Sequence, residues 1–135
     1  MNIIQIRTFL PSKDFETSKN FYKDLGFTVT WENHELAEIG IAKQNFFLQK
    51  YYQEDWANNL MMQMFVDDLD ELYSKAAPLI DKYEGTKIKS IFETDYGRTF
   101  HLIGPAGVLW HMTETENKNI KQDELLCNDE KKSTK

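Results

Sequence analysis

A chain of 135 residues that is 41% hydrophobic and 13% aromatic can bury an apolar interior and is too rich in large side chains to be disordered. The formal net charge is −6, and residues 117–135 hold five lysines against four acids, so the first 116 residues carry about −7 (−6 minus +1). A surface of that sign repels a phosphate backbone, which argues against nucleic acid as a partner, and it attracts small cations.

The single cysteine, Cys127, has no partner for an intramolecular disulfide and no CxxC spacing for zinc. No apolar run is long enough to span a membrane, and the start carries no signal-peptide pattern. The expected setting is a soluble cytoplasmic protein with no membrane partner.

Asn2 to Leu10 (NIIQIRTFL) predicts a first strand, ended by Pro11 and Ser12, with Ser12 or Asp14 capping the helix that follows. Phe15, Ser18, Phe21, Tyr22 and Leu25 recur at helical spacing, and Gly26 stops the helix. Phe27 to Trp31, Leu36 to Ile41 and Asn45 to Tyr51 predict three more strands, with breaks at Glu32-Asn33-His34 and Lys43-Gln44. A second unit begins near Leu60. Leu60 to Val66 predicts a strand, Asp67 and Asp68 offer caps, and Leu69, Leu72, Tyr73 and Ala76 form an apolar stripe that Pro78 kinks or shortens. After Gly85, the runs Lys87 to Phe92, Arg98 to Ile103 and Val108 to Thr113 predict the last three strands, with a tight turn at Gly104-Pro105-Ala106-Gly107. Asp14-Phe15 and Asp68-Leu69 stand 54 residues apart in equivalent places, which implies a duplicated βαβββ architecture of α+β class. Residues 117–135 are polar and charge-mixed and are expected to form a flexible tail.

The segments Asp14…Phe21-Tyr22-Lys23-Asp24-Leu25-Gly26-Phe27 and Tyr96-Gly97-Arg98…Gly104-Pro105-Ala106-Gly107, with His111 four residues on, resemble the vicinal-oxygen-chelate superfamily of glyoxalases, bleomycin-resistance proteins and dioxygenases. Together with Leu69-Asp70-Glu71-Leu72-Tyr73 they are most similar to its bleomycin-resistance group. The resemblance covers about residues 2–114. It implies two βαβββ modules forming half-open barrels within one domain, residues 1–116, with halves of about 1–55 and 56–116. It also implies a homodimer whose clefts draw on both chains. The same fold serves isomerases, dioxygenases, thiol transferases and drug sequestration, so it does not fix the function.

Metal-dependent members of the superfamily place ligands on the first and last strands of each half. The resemblance maps those positions onto Arg7, Gln49, Met61 and His111. Only His111 is a good ligand for zinc, iron or manganese, and a guanidinium at Arg7 repels a divalent cation. The neighbours Ile6, Thr8, Leu60 and Met62 offer no replacement. No metal and no cofactor are expected. His34 falls in a turn and reads as exposed. His101 sits between Phe100 and Leu102, and alternation alone leaves its face open. No Ser-His-Asp or Cys-His arrangement is visible.

Strand alternation groups Gln5, Arg7 and Phe9 with Phe47, Gln49 and Tyr51 in one half, and Met61, Gln63 and Phe65 with Leu109, His111 and Thr113 in the other. Phe46, Leu48, Met62, Met64, Val66, Trp110 and Met112 should pack beneath the helices. In bleomycin-resistance proteins, aromatic residues of the fifth strand and of the loop before the seventh contact the planar drug. The matching positions here are Gln63, Phe65 and Tyr96, of which two stay aromatic. Trp56, in the loop before the fifth strand, and Trp31 can add stacking surface, and Arg98 completes the candidate ligand-binding set. Arg7 suits a carboxylate or phenolate better than a strongly cationic ligand.

The leading expectation is a metal-free, dimeric protein that binds and sequesters a planar, aromatic small molecule without turnover. A lyase or isomerase using His111 as general base and Arg7 as anion holder is the alternative. A dimeric scaffold with no ligand is a third.

Overall fold

The computed structural model of the chain describes residues 1–115; the expected tail, 117–135, lies outside them. Two four-stranded sheets carry the same connectivity. The first has the order β1-β4-β3-β2, from β1 (Phe9–Pro11), β2 (Thr28–Glu32), β3 (Leu36–Ile41) and β4 (Gln44–Gln49). The second has the order β5-β8-β7-β6, from β5 (Met61–Val66), β6 (Lys87–Thr94), β7 (Gly97–Ile103) and β8 (Leu109–Glu114). In each, the first strand lies parallel to the last and the rest form an antiparallel meander. The duplicated βαβββ order expected from the sequence is therefore present.

Helix α1 (Phe15–Leu25) starts at Asp14, whose carboxylate accepts the Thr17 N–H at 3.0 Å. Ser12 has another use, since its hydroxyl donates to the Gln49 carbonyl at 2.7 Å. The helix ends at Gly26, which takes φ +119°, a conformation that costs glycine little. In the second half α3 (Leu69–Ala76) starts at Asp68, which accepts the Glu71 N–H at 3.0 Å. Pro78 does interrupt the helix, and a separate turn, α4 (Leu79–Lys82), follows it.

Apolar stripes on α1 and α3 lie against one face of each sheet. Leu10, Phe21, Ile39, Leu48, Leu69, Phe100, Leu102 and Met112 are fully buried there. The halves share this core. Trp110 of β8 meets Tyr22, Phe27 and Phe46 with ring centroids 5.8–6.0 Å apart, and its indole N–H donates to the Tyr22 hydroxyl at 3.1 Å. Burial pushes the Tyr22 pKa well above that of a free phenol. Asp24 on α1 accepts from Lys82 at 2.7 Å and from the Tyr83 hydroxyl at 2.6 Å, a second tie between the halves.

Two expectations need correction. The first strand does not run from Asn2 to Leu10. Its ladder starts at Phe9, opposite Phe47, and one more bond runs from the Phe47 N–H to the Thr8 carbonyl at 3.0 Å. Extending that register places Ile6 opposite Gln44, the first residue of β4, where the chain turns through Ala42 and Lys43 with positive φ. Residues before Ile6 have no strand beside them, and Ile3, Ile4 and Ile6 are exposed. Trp56 lies not in a loop but on a short helix, α2 (Glu54–Asn58).

Both outer strands on the meander side are irregular. The β2–β3 register shifts between Val29 and Trp31, and the β6–β7 register shifts between Lys89 and Phe92.

Candidate open-face binding site

One face of each sheet is covered by the helices, and the other is open. In β5 the alternation is direct: Met61, Gln63 and Phe65 are exposed, while Met62, Met64 and Val66 pack against the core. Phe46, Leu48, Trp110 and Met112 are buried on the helix side, as the sequence pattern implied. The open faces leave Phe9 at 44%, Phe65 at 45% and Met61 at 60% exposure, a large uncovered apolar surface in a single chain.

On the first sheet, Phe9 and Phe47 stack at 5.0 Å between ring centroids, and the Arg7 guanidinium lies 4.7 Å above the Phe47 ring. Arg7 is ion-paired with Glu38 at 2.9 Å and donates to Gln5 at 2.9 Å; Gln5 donates in turn to Asn45. The Thr30 hydroxyl also donates to Glu38, at 2.7 Å. Glu38 was missed in the sequence. The alternation of β3, with Ala37 and Ile39 buried, could have put it on this face. Trp31, across from Glu38 on β2, is half exposed. Gln49 sits opposite Pro11, two residues along from the Phe9–Phe47 pair.

On the second sheet, His111 stands between Gln63 of β5 and His101 of β7 in register. Its Nε2 is 3.3 Å from the Met61 sulfur, and its ring meets that of His101 edge-on at 4.6 Å. The face of His101, open in the sequence, is thereby assigned. Phe92 packs edge-on against the other side of His101 at 5.1 Å. Partial burial, then the neighbouring His111 and Lys89, hold the His101 pKa below that of a free imidazole. Gln63 donates weakly to Thr113 at 3.5 Å.

Not every candidate joins these faces. Arg98 shares its side of β7 with buried Phe100 and Leu102, and its guanidinium forks onto Asp70 at 2.9 and 3.3 Å and onto Glu114 at 2.9 Å. Glu114 also accepts the Leu69 N–H, so Arg98 ties the start of α3 to β7 and β8. The hydrogen bond from Arg98 holds the Asp70 carboxyl below the usual carboxylate range. Tyr96 is exposed in the turn between β6 and β7, and Trp56 faces Tyr51 at 6.2 Å.

Arg7, Gln49, Met61 and His111, the four positions that the sequence resemblance maps onto metal ligands, do not suit a hard divalent ion. Arg7 brings a positive charge, and Met61 a thioether. Among the described residues, no group of three or more His, Cys, Asp or Glu side chains is gathered as such an ion requires. A surface concavity of about 750 Å³ lies elsewhere, between Lys13, Glu16, Lys19, Glu32 and Lys50. Lys19 there is already held by Glu32 at 2.6 Å and Glu16 at 2.9 Å, and it recruits nothing further. No helix of the described chain is long and apolar enough to cross a membrane.

Neither the family models nor the curated proteins compared with the sequence match it. Solved structures do. The bleomycin-binding protein of bleomycin-producing Streptomyces verticillus, solved with copper(II)-bleomycin, is 21% identical with a TM-score of 0.72, over 86% of this chain and 99% of that one. An antibiotic-binding protein from Streptomyces sp. CB03234 is 17% identical with a TM-score of 0.69, over 86% and 99%. A lactoylglutathione lyase from Agrobacterium tumefaciens is 14% identical with a TM-score of 0.63, over 82% and 92%. Binding proteins and an enzyme thus share this backbone, and the chain has the glyoxalase/bleomycin-resistance fold.

Proposed function

We propose that this protein binds and sequesters a planar, aromatic small molecule, without a metal, in a cleft formed when two copies bring their open faces together. The observation that carries the reading is the uncovered aromatic and thioether surface of those faces, Phe9, Phe47, Met61 and Phe65, set with few polar handles. A dimer would cover that surface and leave a mostly apolar pocket of the kind small organic ligands need. Tyr96 and Trp56 supply stacking area at its rim, and Gln49, Gln63 and His111 supply hydrogen bonds. The similarity to antibiotic-binding proteins supports binding in general.

The lyase or isomerase alternative is weaker. It needs Arg7 to hold an anion, and the Glu38 carboxylate 2.9 Å away already neutralises that guanidinium. The same pair removes the objection that Arg7 raised against a cationic ligand.

The test is thermal unfolding against panels of planar cationic and planar carboxylate compounds, with sedimentation to fix the assembly. A ligand at a hundred times its Kd adds about 2.7 kcal/mol of apparent stability. We expect at least one planar compound to raise the Tm of a dimer, and Phe65→Ala to abolish most of that rise. A shift unchanged in both Phe65→Ala and Tyr96→Ala would put the ligand somewhere else.

A further inference from the structure

We infer that Lys87, Lys89 and His101 form an anion subsite at the β6 border of the ligand face, so that the planar ligand is an aromatic carboxylate. The inference rests on the planar-ligand reading and adds the ligand's charge to it.

A bulge builds the subsite. Lys89 and Phe92 stand three apart, a spacing that puts residues of a regular strand on opposite faces. The register shift between them reverses this. Lys89 pairs with His101 and Phe92 with Thr99, two residues apart on β7 and on the same face. The Lys89 ammonium lies 4.4 Å from the Phe92 ring centroid, and that ring meets His101 edge-on at 5.1 Å. Lys87, opposite Ile103, falls on this face as well. The Phe92 ring therefore sets an ammonium and an imidazole side by side, and a carboxylate can accept charge-assisted hydrogen bonds from such a pair.

Charge selects the ligand. The open face of the second sheet takes Lys87 and Lys89 from β6, His101 from β7, His111 from β8, and the uncharged Met61, Gln63 and Phe65 from β5. The carboxylates of these strands belong to the other side: Glu93 lies opposite Arg98, and Glu114 binds that guanidinium at 2.9 Å. Both arginines of the chain are paired with carboxylates, whereas neither Lys87 nor Lys89 has an ion-pair partner among the described residues. In a chain of net charge −6, a face with cations and no carboxylate is where an anion settles. The first sheet offers no equivalent, because Glu38 neutralises Arg7. A bound carboxylate also favours the proton on His101, against the partial burial and the neighbouring His111 and Lys89 that disfavour it.

The experiment titrates the full chain calorimetrically with naphthoate, its neutral amide and the matching amidinium, at about pH 6 and about pH 8, either side of a free imidazole. Naphthoate should bind about fivefold tighter than the amide at the lower pH. The advantage should shrink without vanishing at the higher pH, where only the lysines stay charged. Lys89→Gln should bring the two affinities within about twofold of each other, whereas His101→Gln should keep part of the preference and lose most of its pH dependence. Equal affinity for naphthoate and amide, or an amidinium bound tighter than either, would overturn the subsite and leave the planar-ligand reading standing. A preference that survives Lys89→Gln in full would overturn the assignment of these residues. Binding of none of the three would sink the planar-ligand reading itself, and the subsite with it.

Discussion

The two halves share a topology but not a ladder. β5 pairs with β8 along six residues, Met61 to Val66, whereas β1 pairs with β4 along three, Phe9 to Pro11. Their open faces differ as well. The first presents an ion pair, Arg7–Glu38, over stacked rings, and the second presents a histidine pair beside a thioether. The shared backbone path accommodates different exposed side chains in the two halves. What the halves must keep in common is the core between them, where Trp110 of one meets Tyr22, Phe27 and Phe46 of the other.

Breaking that common core should have the largest effect. Trp110→Ala removes a buried ring and strands the Tyr22 hydroxyl, at a cost of about 3–5 kcal/mol. Denaturant unfolding should still show one transition at lower midpoint; two transitions would mean that the halves are independent units. A smaller change separates the two faces. Glu38→Gln frees the Arg7 charge, and because this pair is partly exposed the gain in affinity for a planar carboxylate should be no more than about fivefold. That gain should shrink with added salt and vanish in an Arg7→Gln, Glu38→Gln double variant. If Glu38→Gln favoured cationic compounds, the pair would lie outside the cleft.

The smallest effect tests the second face alone. Because the His101 pKa is lowered in the folded chain, the unfolded chain binds more protons between the lowered value and the free value of about 6.5. Stability is therefore full above that window and falls as pH drops through it. His101→Gln should flatten this part of the stability–pH curve, leaving the slope from the carboxylates at lower pH. An unchanged slope would show that His101 titrates normally.

The element order, the helix caps at Asp14 and Asp68, and the helix-facing residues of the strands were legible because period and capping are local. Residues 2–8 misled because their isoleucines carry strand propensity, yet a strand also needs a neighbour, and β4 supplies backbone only from Gln44 onward. The five residues of α2 are too few to display a period. Arg98 was grouped with the site because nothing local reveals the β7–β8 register. The five-residue connection from Gly104 to Val108 pairs Ile103 with Leu109 and so puts Thr99, His101 and Ile103, not Arg98, on the side of His111. Glu38 was overlooked for a different reason: its importance lies in Arg7, 31 positions away and beyond any pattern.

The bulges in β2 and β6 bear on how such sheets avoid one another. An outermost strand offers unpaired N–H and C=O groups to any passing strand, and a break in its regularity twists those groups out of line. Both sheets carry this irregularity on the meander side, at Val29–Trp31 and Lys89–Phe92. Growth by strand addition is thus discouraged along those two borders, so copies that do associate are steered away from open-ended, fibre-like stacking at that side.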